Sequence, residues 1–244
     1  MKKIILIATF SLALLIISAA LGAVAYVFAM ENSAKTLYNH RNADTDGDEI
    51  PDSMDDDVDG DGVLNMDDPD ADGDGIPNVS DALNAAKKLI GRPYDLFNEL
   101  TVSPMTKYGA IVCIDVVLYS YEQSGIYFEK EMRDYYKKKP RIFSDRSWNN
   151  PYDKNFARRV RNFRPYCSAK GFILEEGAAL QPGDLVIFAG GHIAMIEKVK
   201  GGDFITIESS SKKIITKRTK KADIMKRSME RYGKDVYFTR LTWD

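Results

Sequence analysis

Histidine, cysteine and tryptophan are scarce in this chain of 244 residues, which has two of each. The histidines are His40 and His192, so the C-terminal part of the chain has a single imidazole for acid–base chemistry. The cysteines are Cys113 and Cys167, and a disulfide is the ordinary outcome for two cysteines in an exported protein. A free cysteine beside His192 is instead a candidate nucleophile. The sequence leaves both interpretations open.

Charge is absent from a long stretch near the start of the chain. Lys2 and Lys3 precede 27 uncharged residues, 4–30. This length suits a membrane-spanning helix, and the two lysines favour a cytoplasmic N-terminus with the rest of the chain exported. The Ala-Val-Ala tripeptide at 23–25 offers signal cleavage as the alternative. We therefore predict a membrane anchor or signal segment over 1–33 and an extracytoplasmic C-terminal domain, which is secreted if the signal is cleaved.

Basic residues are absent from 43–81, where 16 residues are acidic. From 82 to 244 the balance reverses, to 30 Lys and Arg against 19 Asp and Glu. An acidic block before a basic domain indicates two separate tasks. The basic domain favours anionic partners, among which export argues against nucleic acid. The predicted organisation is a linker over 34–43, acidic repeats over 44–81 and a domain over 82–244.

The acidic block repeats every 13 residues, with units that begin at Asp44, Asp57 and Asp70. Oxygen-bearing side chains occupy positions 1, 3, 5, 9 and 12 of each unit, which is the spacing of loops that wrap one Ca²⁺. Position 7 is β-branched and offers a backbone carbonyl. The predicted metal ligands are Asp44, Asp46, Asp48, Asp52, Asp55, Asp57, Asp59, Asp61, Asn65, Asp68, Asp70, Asp72, Asp74, Asn78 and Asp81.

Glycine at position 4 of every unit allows a sharp turn, but position 6 is Gly62 and Gly75 in two units and Glu49 in the first. No helical segments separate the units. The array resembles thrombospondin type 3 repeats, and the resemblance implies structural Ca²⁺ that stiffens 44–81 into a spacer between membrane and domain. A disordered acidic linker is the alternative.

The domain after the repeats is predicted to be α+β. Apolar periodicity after Gly109 places Cys113 at the first turn of a helix that ends at Gly125, where free N–H groups and the helix dipole stabilise a thiolate. A buried structural cysteine is the alternative. Further helices are predicted at 82–90, 129–138 and 153–164, and strands at 185–188, 192–196, 204–208, 212–218 and 236–241. The basic helix over 153–164 is read as a solvated face or as a contact surface for an anionic polymer.

A hairpin at Gly201-Gly202 brings Glu208 beside His192, where a carboxylate can hold the imidazole in one tautomer and stabilise its charged form. Ser209 and Ser210 are the alternative partners for the imidazole. The alternative for Glu208 itself is an exposed strand carboxylate.

Three segments carry a family resemblance: the helix-borne Cys113, Pro-Gly-Asp-Leu-Val over 182–186, and His-Ile-Ala-Met-Ile over 192–196. Together they resemble the NlpC-type papain-like fold, whose superfamily includes CHAP amidases and wall endopeptidases. Residues 86–95 and Val-Cys-Ile-Asp-Val-Val over 112–117 resemble an uncharacterised bacterial branch of it. The resemblance covers about 82–241.

The resemblance implies roles for single residues. Cys113 is the nucleophile, His192 the base, and Glu208 lies near the third polar position, which holds His or Asn in the closest branch. Tyr94 matches a tyrosine that helps to form an oxyanion hole, and Asp115 stabilises either the helix start or a substrate amine. No cofactor is implied for catalysis.

The predicted protein is a papain-like NlpC-type α+β domain, with a helix-borne Cys packed on an antiparallel sheet that carries His, preceded by a calcium-repeat stalk and a transmembrane helix. Its predicted function is hydrolysis of a peptide or amide bond in cell-wall peptidoglycan. Expected partners are the wall polymer or peptide substrate and, through the N-terminal helix, the membrane. The alternatives are an inactive wall-binding module, which a Cys113–Cys167 disulfide would favour, and an acyltransferase acting on lipid or peptide.

Overall fold

The computed structural model describes residues 15–22, 24–25, 40–95, 101–102, 105–106, 109–143, 149–153, 155–188, 191–211 and 215–241. Within these ranges no helix is long and apolar enough to cross a membrane. Most of the segment predicted as anchor or signal, 1–33, and most of the linker lie outside the described residues.

The described elements form an α+β domain. Single 3-10 turns lie at His40–Asn42, Asp52–Met54 and Pro140–Ile142. The helices are α1 (Asn78–Lys88), α2 (Cys113–Glu122), α3 (Phe128–Lys138), α4 (Val160–Ala169) and α5 (Lys221–Tyr232). The strands are β1 (Thr101–Val102), β2 (Met105–Thr106), β3 (Leu185–Phe188), β4 (His192–Lys200), β5 (Asp203–Ser210), β6 (Ile215–Lys220) and β7 (Val236–Thr239).

Five antiparallel strands form the central sheet in the order β6-β5-β4-β3-β7, while β1 and β2 form a separate hairpin. Alternating side chains divide the sheet into two buried faces. Ile193 and Met195 belong to the large core that includes α1 to α4, whereas Ala194 and Ile196 belong to a second core that α5 covers through Ile224. His192 has the same parity as Ala194, so it faces α5.

The acidic repeats pack against the domain, so they do not form the free-standing stalk that the sequence predicted. Met66 and Ala71 lie in the large core with the apolar residues of α2. Gly125 approaches so closely that a Cβ there would lie 2.8 Å from the carbonyl oxygen of Ala71. At the surface, Lys130 forms an ion pair with Asp56. The repeats are therefore a packed layer of the domain.

One predicted helix begins at a different residue in the structure, and one helix of the structure was not predicted. The helix predicted over 153–164 is α4, which begins at Val160 because Asp153 first holds a turn by accepting the N–H of Asn155 at 2.9 Å. Of its basic residues, Arg158 precedes α4 and is buried against Asp115, whereas Arg161 on α4 is exposed. The amphipathic helix α5 was not predicted at all. Its signal is the apolar spacing that runs from Ile224 to Tyr232.

Candidate functional site

The start of α2 fixes the position of Cys113. Asp115, the third residue of the helix, accepts the N–H of Val112 at 2.8 Å and so caps the helix start. Arg158 donates from Nε to the same carboxylate at 2.6 Å, and Asp115 is fully buried. Of the two positions offered for Asp115, the structure therefore places it at the helix start, away from any substrate.

The segment before α2 is held by two neighbours. Tyr94 forms a parallel bridge with Ile111, and the N–H of Asp95 donates to the Ile111 carbonyl at 3.1 Å. That carbonyl also accepts the hydroxyl of Ser209, on β5, at 2.9 Å. Ser209 therefore anchors the chain two residues before Cys113, and it does not orient His192 as the alternative proposed.

His192, the first residue of β4, lies between a carboxylate and a thiol. Its Nε2 is 2.7 Å from Oε2 of Glu208, so the β4–β5 hairpin brings together the two residues that the sequence paired. The other ring nitrogen, Nδ1, is left to face Cys113, whose side chain contributes to the raised pKa of His192. Cys113 Sγ is also 3.9 Å from the carbonyl oxygen of Gly191, the residue before His192.

Aromatic rings hold the imidazole in place. Tyr232, the last residue of α5, stacks on His192 with ring centroids 5.7 Å apart and planes 7° from parallel. Phe188 also stacks on it, at 6.0 Å. These contacts fix the ring plane, and the hydrogen bonds fix its rotation, so the nitrogen that faces Cys113 is preorganised.

The electrostatics favour a protonated His192. Burial lowers the pKa of His192, but the hydrogen bonds with Cys113 and Glu208 outweigh burial and raise the pKa to about 9. Burial likewise raises the pKa of Glu208, but hydrogen bonds from His192, Thr219 and Arg227 lower it to about 2. At neutral pH the pair is an imidazolium and a carboxylate.

Two residues that the sequence analysis did not single out complete the carboxylate's surroundings. Thr219, on β6, donates to Oε1 of Glu208 at 2.6 Å, and Arg227, on α5, forms an ion pair with the same oxygen. The fully buried Glu208 is thus satisfied on both oxygens, which rules out an exposed strand carboxylate. Arg227 and Tyr232 were missed together with α5, whose apolar spacing was the available signal.

A cleft opens over these groups. Cys113, His192 and Tyr94 line it on one side, and Arg231 and Tyr232 of α5 line it on the other. As the first residues of α2, Cys113 and Ile114 have N–H groups with no acceptor inside the helix. Burial and the neighbouring Cys113 raise the pKa of Tyr94 to about 12, so its hydroxyl is a donor at neutral pH. The cleft therefore offers a thiol, an imidazolium and hydrogen-bond donors in one place.

Cys167 takes no part in this site. Both cysteines are free, so the disulfide alternative is wrong in this structure. Cys167 lies on α4 in the large core, where burial raises the pKa of its thiol far above the usual value. It is an inert, buried side chain.

The three repeat units fold into near-identical loops. Oxygen atoms from positions 1, 3 and 5 converge within 4.8 Å of one another in each unit. The position 1 carboxylates of units two and three, Asp57 and Asp70, each accept the position 6 N–H at 2.9 Å. In the first unit Glu49 occupies position 6 with a φ of 74°, a conformation that favours the glycine of the other units. The first loop thus keeps its backbone conformation although Glu49 stands where the other units have glycine.

Position 9 was predicted as a ligand, but the structure gives it another task. Asn65 accepts the N–H of Val58 at 2.8 Å and donates to the carbonyl of Asp55 at 3.0 Å. Asn78 makes the same pair of bonds, with Ala71 and Asp68. In the first unit Asp52 accepts the N–H of Thr45 at 2.8 Å. Through these hydrogen bonds Asp52, Asn65 and Asn78 fasten the loops.

Position 12 lies near the acidic clusters. This position is held by Asp55, Asp68 and Asp81. Burial raises the pKa of carboxyl groups in each unit, and repulsion between position 12 and the cluster of its own unit raises these pKa values further. For Asp72, burial and then Asp74 raise the pKa to about 6. Buried carboxylate oxygens without a hydrogen-bond donor are found on Asp55, Asp57, Asp70 and Asp81. Such oxygens fit a hard cation such as Ca²⁺, held by positions 1, 3, 5 and 12.

Comparisons with known proteins found no matching family model, no similar curated protein and no similar solved structure.

Proposed function

We propose that this protein is a cysteine hydrolase of the cell envelope that cleaves a peptide or amide bond in wall material. The observation that supports it best is the chain of contacts from Cys113 through His192 to Glu208, on separate elements, with the imidazole fixed by stacking. A nucleophile, a base and an orienting carboxylate are the groups that acyl transfer needs. The substrate class and the location rest on the sequence resemblance and on the predicted anchor over 1–33.

The proposed reaction has two steps. The Cys113 thiolate attacks the carbonyl carbon, the carbonyl electron pair moves to the oxygen, and the N–H groups at the start of α2 and the Tyr94 hydroxyl donate to that oxyanion. The His192 imidazolium gives its Nδ1 proton to the leaving amine as the carbon–nitrogen bond breaks. Water then attacks the thioester, neutral His192 takes its proton, and the carboxylic acid leaves as the carbon–sulfur bond breaks, which restores the thiolate and the imidazolium.

We also propose that the repeats hold structural Ca²⁺. Bound there, Ca²⁺ would neutralise carboxylates that otherwise repel one another. In each loop, backbone N–H groups already orient the carboxylates before any cation arrives.

The test of the enzyme is alkylation of Cys113 by iodoacetamide at pH 6, read by mass spectrometry. An ordinary thiol is almost fully protonated at that pH, so reaction requires a stabilised thiolate. We expect rapid labelling of the wild type and a rate about 100-fold lower in His192→Ala. Cys167 is the internal control, because burial keeps it unlabelled in folded protein. Equal rates in both proteins would contradict the thiolate–imidazolium pair and favour an inactive binding module. Digestion of purified sacculi then tests the substrate.

A further inference from the structure

We propose that Arg231 selects substrates that carry an acidic group, such as a free carboxylate, beside the bond that is cleaved. This inference rests on the proposed hydrolase function and assigns a recognition role to α5. Arg231 lies in the last turn of that helix and lines the same cleft as Cys113 and His192. Its side chain is exposed, so a ligand can reach the guanidinium.

The two arginines of the cleft differ in what balances their charge. Arg227 forms an ion pair with the buried Glu208, so its charge is compensated inside the protein. Within the described part of the chain, Arg231 has no carboxylate at ion-pair distance; its Nη1 donates instead to the Ser211 hydroxyl at 2.9 Å. The positive charge of Arg231 therefore remains available to an anion from outside.

Neutral groups hold the guanidinium at the cleft. Arg231 Cζ lies 5.2 Å from the centroid of the Tyr232 ring, and Tyr232 is the ring that stacks on His192. Arg231 and the base thus contact the same ring. An anionic group bound by Arg231 would therefore be held near the scissile bond.

The other side chains that line the cleft can donate hydrogen bonds to an anionic group such as a carboxylate. Ser210 ends β5 and Ser211 follows it, Ser228 lies on α5, and none of the described residues that line the cleft is acidic. Hydroxyl donors around an uncompensated guanidinium match the oxygens of a carboxylate. A cationic group would meet two arginines and an imidazolium there, and would be disfavoured.

Two reagents that differ in one group test this proposal on the full chain. Iodoacetate and iodoacetamide both alkylate a thiolate, but only iodoacetate carries a carboxylate. The readout is the ratio of their rates at Cys113, in wild type and in Arg231→Gln. The imidazolium of His192 attracts iodoacetate in both proteins, so a change in the ratio isolates Arg231. We expect the ratio to fall about threefold or more in Arg231→Gln. Dividing by the iodoacetamide rate removes any change in the reactivity of the thiolate itself.

Two further variants serve as controls. Lys226→Gln removes the same charge from an exposed position of α5 outside the cleft, and its ratio should equal that of the wild type. Arg231→Lys keeps the charge and should retain most of the preference. An unchanged ratio in Arg231→Gln, or an equal fall in Lys226→Gln, overturns the recognition role while the hydrolase proposal stands. Failure of both reagents to label wild-type Cys113 overturns the hydrolase proposal, and this inference with it.

Discussion

At the scale of single residues, the site depends on how His192 keeps its proton. A histidine buried among apolar groups usually loses its charge, but here the neighbouring Cys113 and Glu208 raise the pKa of His192. The raised pKa of His192 stabilises the fold below about pH 6.5, and this contribution is lost as the pH rises through about 9. The lowered pKa of Glu208 contributes above about pH 4.5 and is lost as the pH falls toward about 2.

Replacing Glu208 by Gln tests this arrangement. The amide keeps the size of the side chain but removes the charge that favours imidazolium, so the pKa of His192 should fall by about one unit or more. The measurement is the pH dependence of Cys113 alkylation, supported by NMR titration of the His192 ring. We expect alkylation near pH 6 to slow, because less imidazolium is then present to stabilise the thiolate.

Thr219→Val is the matched control for that variant. It removes one hydrogen bond to the Glu208 carboxylate but leaves the charge in place, so alkylation near pH 6 should slow less. If Glu208→Gln left the profile unchanged, Cys113 alone would be holding the proton on His192.

At the scale of elements, periodicity predicted the helix that carries Cys113 and the strands around His192. Those elements have clear apolar patterns because one or both faces are buried. The predicted start of α4 was wrong because the side chain of Asp153 accepts the N–H of Asn155 and holds a turn there. Apolar periodicity does not detect such a local preference. The helix α5 was not predicted because its exposed face is rich in charge. Its residues Arg227, Arg231 and Tyr232 were therefore not identified as parts of the site.

The repeats show the same limit on sequence-based prediction. The spacing of acidic residues identified the clusters at positions 1, 3 and 5, since a 13-residue period is visible without tertiary structure. It did not reveal the hydrogen bonds by which Asn65 and Asn78 fasten the loops. An asparagine that binds a cation and an asparagine that binds backbone groups look the same in the sequence, and only the packed structure distinguishes them.

Asn78→Ala tests the fastening role. The change leaves the N–H of Ala71 and the carbonyl of Asp68 buried without their partner, which should cost about 2–4 kcal/mol of unfolding free energy. Urea denaturation in excess calcium measures the loss. Asn84→Ala, at an exposed position on the same helix, is the control and should cost far less. If calcium affinity fell while stability in calcium-free buffer stayed the same, Asn78 would be a ligand after all.

At the scale of the whole molecule, the acidic repeats and the elements that carry Cys113 and His192 share one core. Ala71 lies in that core, and the last repeat passes directly into α1, whose first turn carries Asp81. Arg41, ahead of the repeats, forms ion pairs with Glu122 at the end of α2 and with Glu129 on α3. The layer of repeats is thus attached to the Cys113 helix by packing, by the chain and by charge.

Removal of calcium should therefore destabilise the entire domain. For each site held at 100 times its Kd, the unfolding free energy should fall by about 2.7 kcal/mol on chelation. The measurement is thermal unfolding with and without EGTA, followed by the exposure of Cys167 to alkylation. We expect a single transition that shifts to lower temperature.

Asp59→Asn removes one carboxylate of the second cluster and should weaken the calcium effect. Asp67→Asn, which removes an exposed carboxylate outside the clusters, should leave the calcium effect intact. Exposure of Cys167 at the same temperature in both buffers would mean that the repeats melt apart from the domain.

The way the loops fasten to one another also governs how this region can change length. Each position 9 amide reaches the position 12 carbonyl of the loop before it, and Gly60 and Gly73 fit against the position 3 carboxylate of that preceding loop. Deleting residues 57–69 would present Asn78 with the carbonyl of Asp55 in place of that of Asp68, and would present Gly73 with Asp46. A deletion of any other size would misalign both contacts. An insertion or deletion in this region therefore keeps both contacts only if it changes the length of the chain by a multiple of thirteen residues.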